Sequence, residues 1–140
     1  MSDVLVLRLA NRLSEIERLS VEIDGFAAEH DLHAEALFQL QLVLDELVSN
    51  VIKYAHDDGL QHEILVRVEY DHGGWSAEVR DDGKAFDPLK APPPRLDASI
   101  EERPIGGLGI HIVLSMMDSV MYRRENGQNI LTVRKNAAPA

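Results

Sequence analysis

The chain has 140 residues, 45% of them apolar, and no cysteine, so disulfides and thiolate metal sites are excluded and a single domain with a substantial core is expected over residues 1–140. Its 14 basic and 24 acidic residues give a formal charge of −10, spread along the chain rather than gathered in a tail; such a surface repels duplex nucleic acid and anionic membrane, and leaves a local nucleotide site or a basic protein surface as partners. No apolar run approaches the ~18–20 residues that span a bilayer, and the opening MSDVLVLRLANRLSEIE has no basic stretch ahead of its apolar residues, so the expected location is cytoplasmic.

In chain order, Leu5, Leu7 and Leu9 alternate with Val4, Val6 and Arg8, which predicts a short opening strand. Over residues 11–32, Leu13, Ile16, Leu19, Ile23 and Phe26 recur at three- and four-residue steps, the apolar stripe of an amphipathic helix, with Glu15, Arg18, Glu22 and Glu29 off the stripe. A second helix is predicted over residues 33–56, where Leu37, Leu40, Val43 or Leu44, Leu47, Val51 and Tyr54 give a broad apolar face, and DDG at 57–59 supplies a turn after it. EILVRVEY alternates at Ile64, Val66 and Val68; HGG turns the chain; WSAEVRDDG returns with Trp75, Ala77 and Val79 on one face.

From Phe86 to Ile105 the pattern stops, and five of the six prolines fall there. A structureless loop of about 20 residues inside a compact domain usually marks a lid or binding loop. Regular structure resumes with LGIHIVLSMMDSV, an apolar helix, followed by VMYRREN, a turn at Gly127 and NILTVRK as a closing hairpin. The order β-α-α-β-β-loop-α-β-β predicts an α+β two-layer sandwich: a mostly antiparallel mixed sheet with about three helices on one face.

Three constellations carry chemistry, each with a plainer alternative. Glu46 and Asn50 stand four apart on the second helix and Lys53 follows three later, so a carboxylate, an amide and an ammonium share one face of an otherwise apolar helix. Such a set suits a Mg²⁺ ion on the Asn50 oxygen, a phosphate on Lys53 and proton acceptance by Glu46, or it is simply a solvated face. In VRDDGKAFDP a strand runs into Asp81, Asp82 and Gly83. Either the turn only caps the strand, or Asp81 accepts a hydrogen bond from an exocyclic amine such as adenine N6 while Gly83 admits the base. In PIGGLGIHI, Gly106, Gly107 and Gly109 open a helix. No Gly-Lys-Ser/Thr ending makes it a P-loop, and no βαβ unit makes it a Rossmann turn. What remains is a flexible joint or a helix start whose N–H groups favour an anion.

The histidines add little: His30 and His33 lie where the first helix ends, His111 reads as a structural residue of the third, and no HExxH pattern occurs. Ser115, Met116 and Met117 read as packing, and no Ser/His/Asp arrangement supports a hydrolase.

Taken in this fixed order, DELVSNVIKYAH, VRDDGKAFDPL and GGLGIHIVLSMMDSVMYRRENGQNILTVRK resemble the GHKL, or Bergerat-fold, ATP-binding superfamily, and more narrowly the stand-alone anti-sigma-factor serine/threonine kinases of bacterial partner switching. The resemblance covers nearly the whole chain. It implies ATP and Mg²⁺ as cofactors, Asn50 as the Mg²⁺ ligand, Glu46 as general base, Lys53 on phosphate, Asp81 on adenine above Gly83, and Gly106, Gly107, Leu108 and Gly109 as the phosphate-binding end of an ATP lid at about 86–106. Ala85 and Ile105 depart from the wider superfamily and suggest a modified lid. No dimerisation helix pair with a phospho-accepting histidine is recognisable, so the acceptor is expected on another protein. The implied partners are a STAS-type anti-anti-sigma protein and a sigma factor or other regulatory target, with Arg18 and the exposed side of the first helix as contact surface. Dimerisation is implied by the resemblance alone. A nucleotide-binding adaptor without phosphotransfer, or a scaffold without nucleotide, are the competing readings.

Overall fold

The computed structural model describes residues 2–90 and 107–137. Its elements are β1 (Asp3–Ala10), α1 (Glu15–Glu29), α2 (Ala34–Tyr54), β2 (Glu63–Asp71), β3 (Gly74–Asp81), a single 3-10 turn at Pro88–Lys90, α3 (Gly107–Ser115), β4 (Ser119–Glu125) and β5 (Gln128–Asn136). The strands form one sheet in the order β1-β2-β3-β5-β4. All four described pairings are antiparallel, which sharpens the expectation of a mostly antiparallel sheet.

Register explains why one face of this sheet is dry. Leu7, Val66, Val79 and Leu131 are successive partners across β1, β2, β3 and β5, and Val68, Ala77 and Val133 form the next row. These side chains are buried together with Leu19, Ile23 and Phe26 of α1, Leu40, Val43, Leu44, Leu47 and Val48 of α2, and Ile110 and Val113 of α3. β2 and β3 alternate because only one side is covered by helices, whereas β5 buries Asn129, Ile130 and Leu131 in succession. The other side exposes Val4, Val6 and Met121 and carries cross-strand pairing such as Arg8 to Glu63 at 2.7 Å. Trp75 ties the layers: its ring is buried in the core, and its Nε1–H donates to Gln39 Oε1 of α2 at 3.3 Å.

Two helix ends differ from the sequence pattern. α1 begins at Glu15 rather than at residue 11, because the Arg12 and Glu15 amides bond to Ala10 and Arg12 carbonyls and hold the chain in turns after β1. Leu13 therefore lies off the helix and is 58% exposed. α3 ends at Ser115 rather than running to residue 120. Met116 and Met117 tighten onto Val113 and Leu114, and the Asp118 amide already bonds to Arg134 O at 2.8 Å, drawing the chain into the sheet. Of the proposed lid at 86–106, the described start contains the 3-10 turn, and residues 91–106 lie outside the described residues.

Leu44, fully buried at the centre of α2, tests this core. Leu44→Ala is expected to lower unfolding free energy by about 2–5 kcal/mol. Urea titration read by the fluorescence of Trp75, the single tryptophan, measures it; a loss under about 1 kcal/mol would contradict the packing described.

Candidate functional site

α2 carries the polar row. Glu46, Asn50 and Lys53 fall at steps of four and three on a helix whose other side is core, so all three turn the same way. Glu46 and Asn50 are half-buried and Lys53 is exposed. Burial holds the Glu46 carboxyl above its ordinary value of 4.5; the Lys53 ammonium pulls it down less strongly, and Asp45 adds to the rise. The cause of that burial includes α3. Gly109 stands directly on the Glu46 carboxylate: a β-carbon there would lie 2.7 Å from Oε2 and nearer still to Oε1 and Cδ. A side chain at 109 would push the Glu46 carboxylate aside.

The sheet supplies the second half. Alternation along β3 puts Asp81 on the same face as Val79, but at the edge of the core, where it is 5% exposed. Its Oδ2 accepts the Gly83 N–H at 2.9 Å and an Asn129 Nδ2–H at 3.1 Å. Gly83 then presses on the end of α2, where a β-carbon would meet Ala55 Cβ at 2.5 Å and Ala55 O at 2.6 Å. The Lys84 amide donates to the same carbonyl at 3.0 Å. The turn after β3 is thereby fastened to the helix that bears the polar row.

Asn129 is the residue that sequence reasoning missed. The register places it opposite Asp81, and these two are the polar residues buried as a whole among the described residues. Beyond Asp81, its amide donates to Lys84 O at 2.8 Å. Its Oδ1 accepts Tyr122 O–H at 2.5 Å, Arg124 Nη1–H at 3.1 Å and the Phe86 amide at 3.3 Å. Arg124 also donates to Gly83 O at 2.7 Å. The local signal was the Asn126–Gly127 turn, both residues at positive φ, which fixes the β4–β5 register; that Asn129 meets Asp81 depends on a pairing 48 residues away.

Of the other expected site residues, Gly107 and Leu108 open α3, and Gly106 lies outside the described residues. The groups present fit an adenine nucleotide with a hard cation. Asp81 Oδ2 is taken up by the turn and Asn129, while Oδ1 receives no hydrogen bond from a described residue and remains an acceptor. Glu46 and Asn50 offer oxygen donors of the kind that Mg²⁺ takes alongside phosphates. No helix among the described residues is long and apolar enough to cross a membrane.

A helical polar row, fastened at one end to a buried sheet-end aspartate and covered at the other by a glycine-rich helix start, is the plan of a nucleotide-binding α+β domain. The Histidine kinase-like ATPase domain family matches residues 9–135. The serine/threonine-protein kinase BtrW of Bordetella bronchiseptica is 30% identical over 76% of this chain and 75% of its own length. The serine-protein kinase RsbW of Listeria innocua is 23% identical over 96% of this chain and 88% of its own. A crystal structure of the RsbU and RsbW domains of a Mycobacterium tuberculosis protein shares the fold, with a TM-score of 0.68 at 14% identity, over 99% of this chain and 34% of that one. The chain belongs to the histidine kinase-like ATPase domain family, in its branch of serine/threonine-protein kinases of the anti-sigma-factor type.

Two expectations follow from this geometry. A carboxyl whose folded pKa lies above its unfolded one stabilises the fold when protonated; that contribution is complete below the unfolded value and is lost as pH rises through the folded value. Glu46→Gln is therefore expected to raise Tm near neutral pH, to lose that advantage as pH falls through the raised folded value toward 4.5, and to show none below it, which calorimetric melts across pH will check. Asn129→Ala strips bonds from buried Asp81, the Lys84 carbonyl and the Tyr122 hydroxyl. Denaturant titration is expected to find it destabilised by about 1–3 kcal/mol or more.

Proposed function

We propose that the chain transfers the terminal phosphoryl group of ATP to a serine or threonine hydroxyl of a small STAS-type anti-anti-sigma protein, and in the alternative state holds a sigma factor or comparable regulatory target. The observation that carries this reading is Glu46: a half-buried carboxylate with raised proton affinity, on the same helix face as Asn50 and Lys53. A pure nucleotide binder has no use for a base there.

In this reading Asp81 Oδ1 accepts from the exocyclic amine of adenine, and Gly83 leaves room for the base. Asn50 holds Mg²⁺, and Lys53 faces the phosphates together with the N–H groups at the start of α3. Mg²⁺, when bound, offsets charge on the phosphates. Glu46 accepts the proton of the attacking hydroxyl, and burial has already moved its pKa toward the working range of a general base. Positioning and charge balance make up most of catalysis in phosphoryl transfer, which suits a site built from one helix face and one strand end.

The test combines ATP, Mg²⁺ and the STAS-type partner and looks for phosphoserine or phosphothreonine by mass spectrometry, with ATP binding followed by calorimetry. The expected result is label on the partner. Glu46→Gln should retain ATP affinity and transfer about 10²–10⁴ times more slowly. Asn50→Ala should weaken Mg²⁺-dependent binding more than metal-free binding. Asp81→Asn should lower ATP affinity, because an acceptor becomes an amide that can present a donor. ATP bound without label on any partner would point to an adaptor, and no binding at millimolar ATP would retire the reading.

A further inference from the structure

Three segments far apart in the chain meet beside the turn after β3. His56 lies two residues beyond α2, His62 immediately precedes β2, and Asp82 immediately follows β3. Because β2 and β3 are antiparallel neighbours, with Leu65 opposite Arg80, the start of one lies beside the end of the other. His56 Nε2 stands 3.3 Å and His62 Nδ1 3.2 Å from Asp82 Oδ1. Among the described residues this is the one group of three His, Asp or Glu side chains whose donor atoms all lie within 4.8 Å of one another.

Two further observations point to a ligand. The His56 side chain is 8% exposed, and its Nε2 is enclosed without a hydrogen-bond partner; Asp82 Oδ1 is near but out of alignment. A buried ring nitrogen of this kind calls for a partner. On His62 the other nitrogen, Nε2, is held by Asp58 Oδ2 at 2.8 Å. A carboxylate on the far nitrogen is the usual support of a metal-bound imidazole, since it fixes the tautomer and the ring orientation. None of these residues belongs to the polar row of α2 or to the Asp81–Asn129 knot.

We propose that His56, His62 and Asp82 bind a divalent transition-metal ion, with zinc as the best match. Two imidazoles and one carboxylate suit zinc better than the hard cations Mg²⁺ or Ca²⁺. Donors placed about 2.0–2.1 Å from a tetrahedral centre stand about 3.3–3.4 Å apart, close to the two nitrogen–oxygen separations above. The histidine rings stack at 3.6 Å and 6°, so one must turn before both lone pairs aim at a single point. His62 is the more exposed of the two and has the room to make that adjustment. Asp82 faces solvent and gives the ion its way in. Once bound, the ion joins the loop after α2 to the residue next to Asp81 and braces the turn.

The test uses the full chain, stripped with a chelator, without nucleotide, well above the ordinary histidine pKa of about 6.5, because Asp58 and Asp82 raise that of His62; its outcome is thus independent of any kinase activity. Zn²⁺ titrated by calorimetry should bind at one ion per chain with a Kd of micromolar order or tighter and raise Tm. Asp82→Asn and His62→Gln, both toward the surface, should each weaken binding by at least about tenfold, with circular dichroism checking that they fold. X-ray absorption at the zinc edge of the unmodified chain should show two imidazoles with oxygen donors. Absence of binding, wild-type affinity in either variant, or a shell with fewer than two imidazoles would overturn the assignment.

Discussion

The close approach of Gly83 to Ala55 sets the geometry on which the rest of the site depends. It brings the turn after β3 within van der Waals reach of the last turn of α2, and the Lys84 amide locks it there by bonding to the Ala55 carbonyl. Nine residues back along the helix, about 13 Å at 1.5 Å per residue, Gly109 of α3 makes the same kind of contact with Glu46. α2 is thus a rod gripped at two points by residues without side chains. Asn50 and Lys53 lie between the grips. The spacing of the two contacts is set by the helical rise, and the closeness of each by the absence of a β-carbon.

The grip near Ala55 would not hold without the polar knot behind it. Asp81 continues the alternation that buries Trp75, Ala77 and Val79, so the strand drives a carboxylate into the edge of the core. A buried charge without partners is costly. Here Oδ2 is satisfied by the Gly83 amide and Asn129, and Asn129 is in turn held by Tyr122, Arg124, Phe86 and Lys84. The network closes the gap between β3, β4, β5 and the turn. It also orients one carboxylate oxygen while leaving the other free of bonds to described residues. Such a densely bonded polar cluster, set in an apolar frame, fixes one arrangement rather than several.

How much of this could be read from residues alone follows from how local each feature is. Ile64, Val66 and Val68, and then Trp75, Ala77 and Val79, announced their strands and their buried face because one side of an antiparallel sheet is covered and the period is two. Glu46, Asn50 and Lys53 were legible as one row because a helix brings i, i+4 and i+7 together without outside help. The helix ends were less so. Leu13 extends the apolar stripe of α1 by spacing, yet turns at Arg12 and Glu15 hold it outside the helix. Met116 and Met117 carry on the apolar run of α3 past the point where Asp118 joins the sheet. Asn129, beside a turn, looks like a turn residue until the β3–β5 register sets it against Asp81. His56, His62 and Asp82 likewise depend on strand pairing, and no spacing within the chain brings them together.

The contact between Gly109 and Glu46 links the position of α3 to the chemistry of the row. The Glu46 carboxyl is raised chiefly by desolvation, and its neighbours Lys53 and Asp45 act in opposite senses. Part of the desolvating wall is the backbone of α3. If α3 moves off, water reaches the carboxylate, its charged form is better solvated and its proton affinity falls. If α3 closes on it, the affinity rises and the carboxylate becomes a stronger base. If, as proposed above, Glu46 accepts the proton and the first N–H groups of α3 take an anion, a closure of α3 over both would strengthen the base as the anion binds. A side chain at 109 would break that link by forcing the carboxylate aside, even if the helix itself folded unchanged.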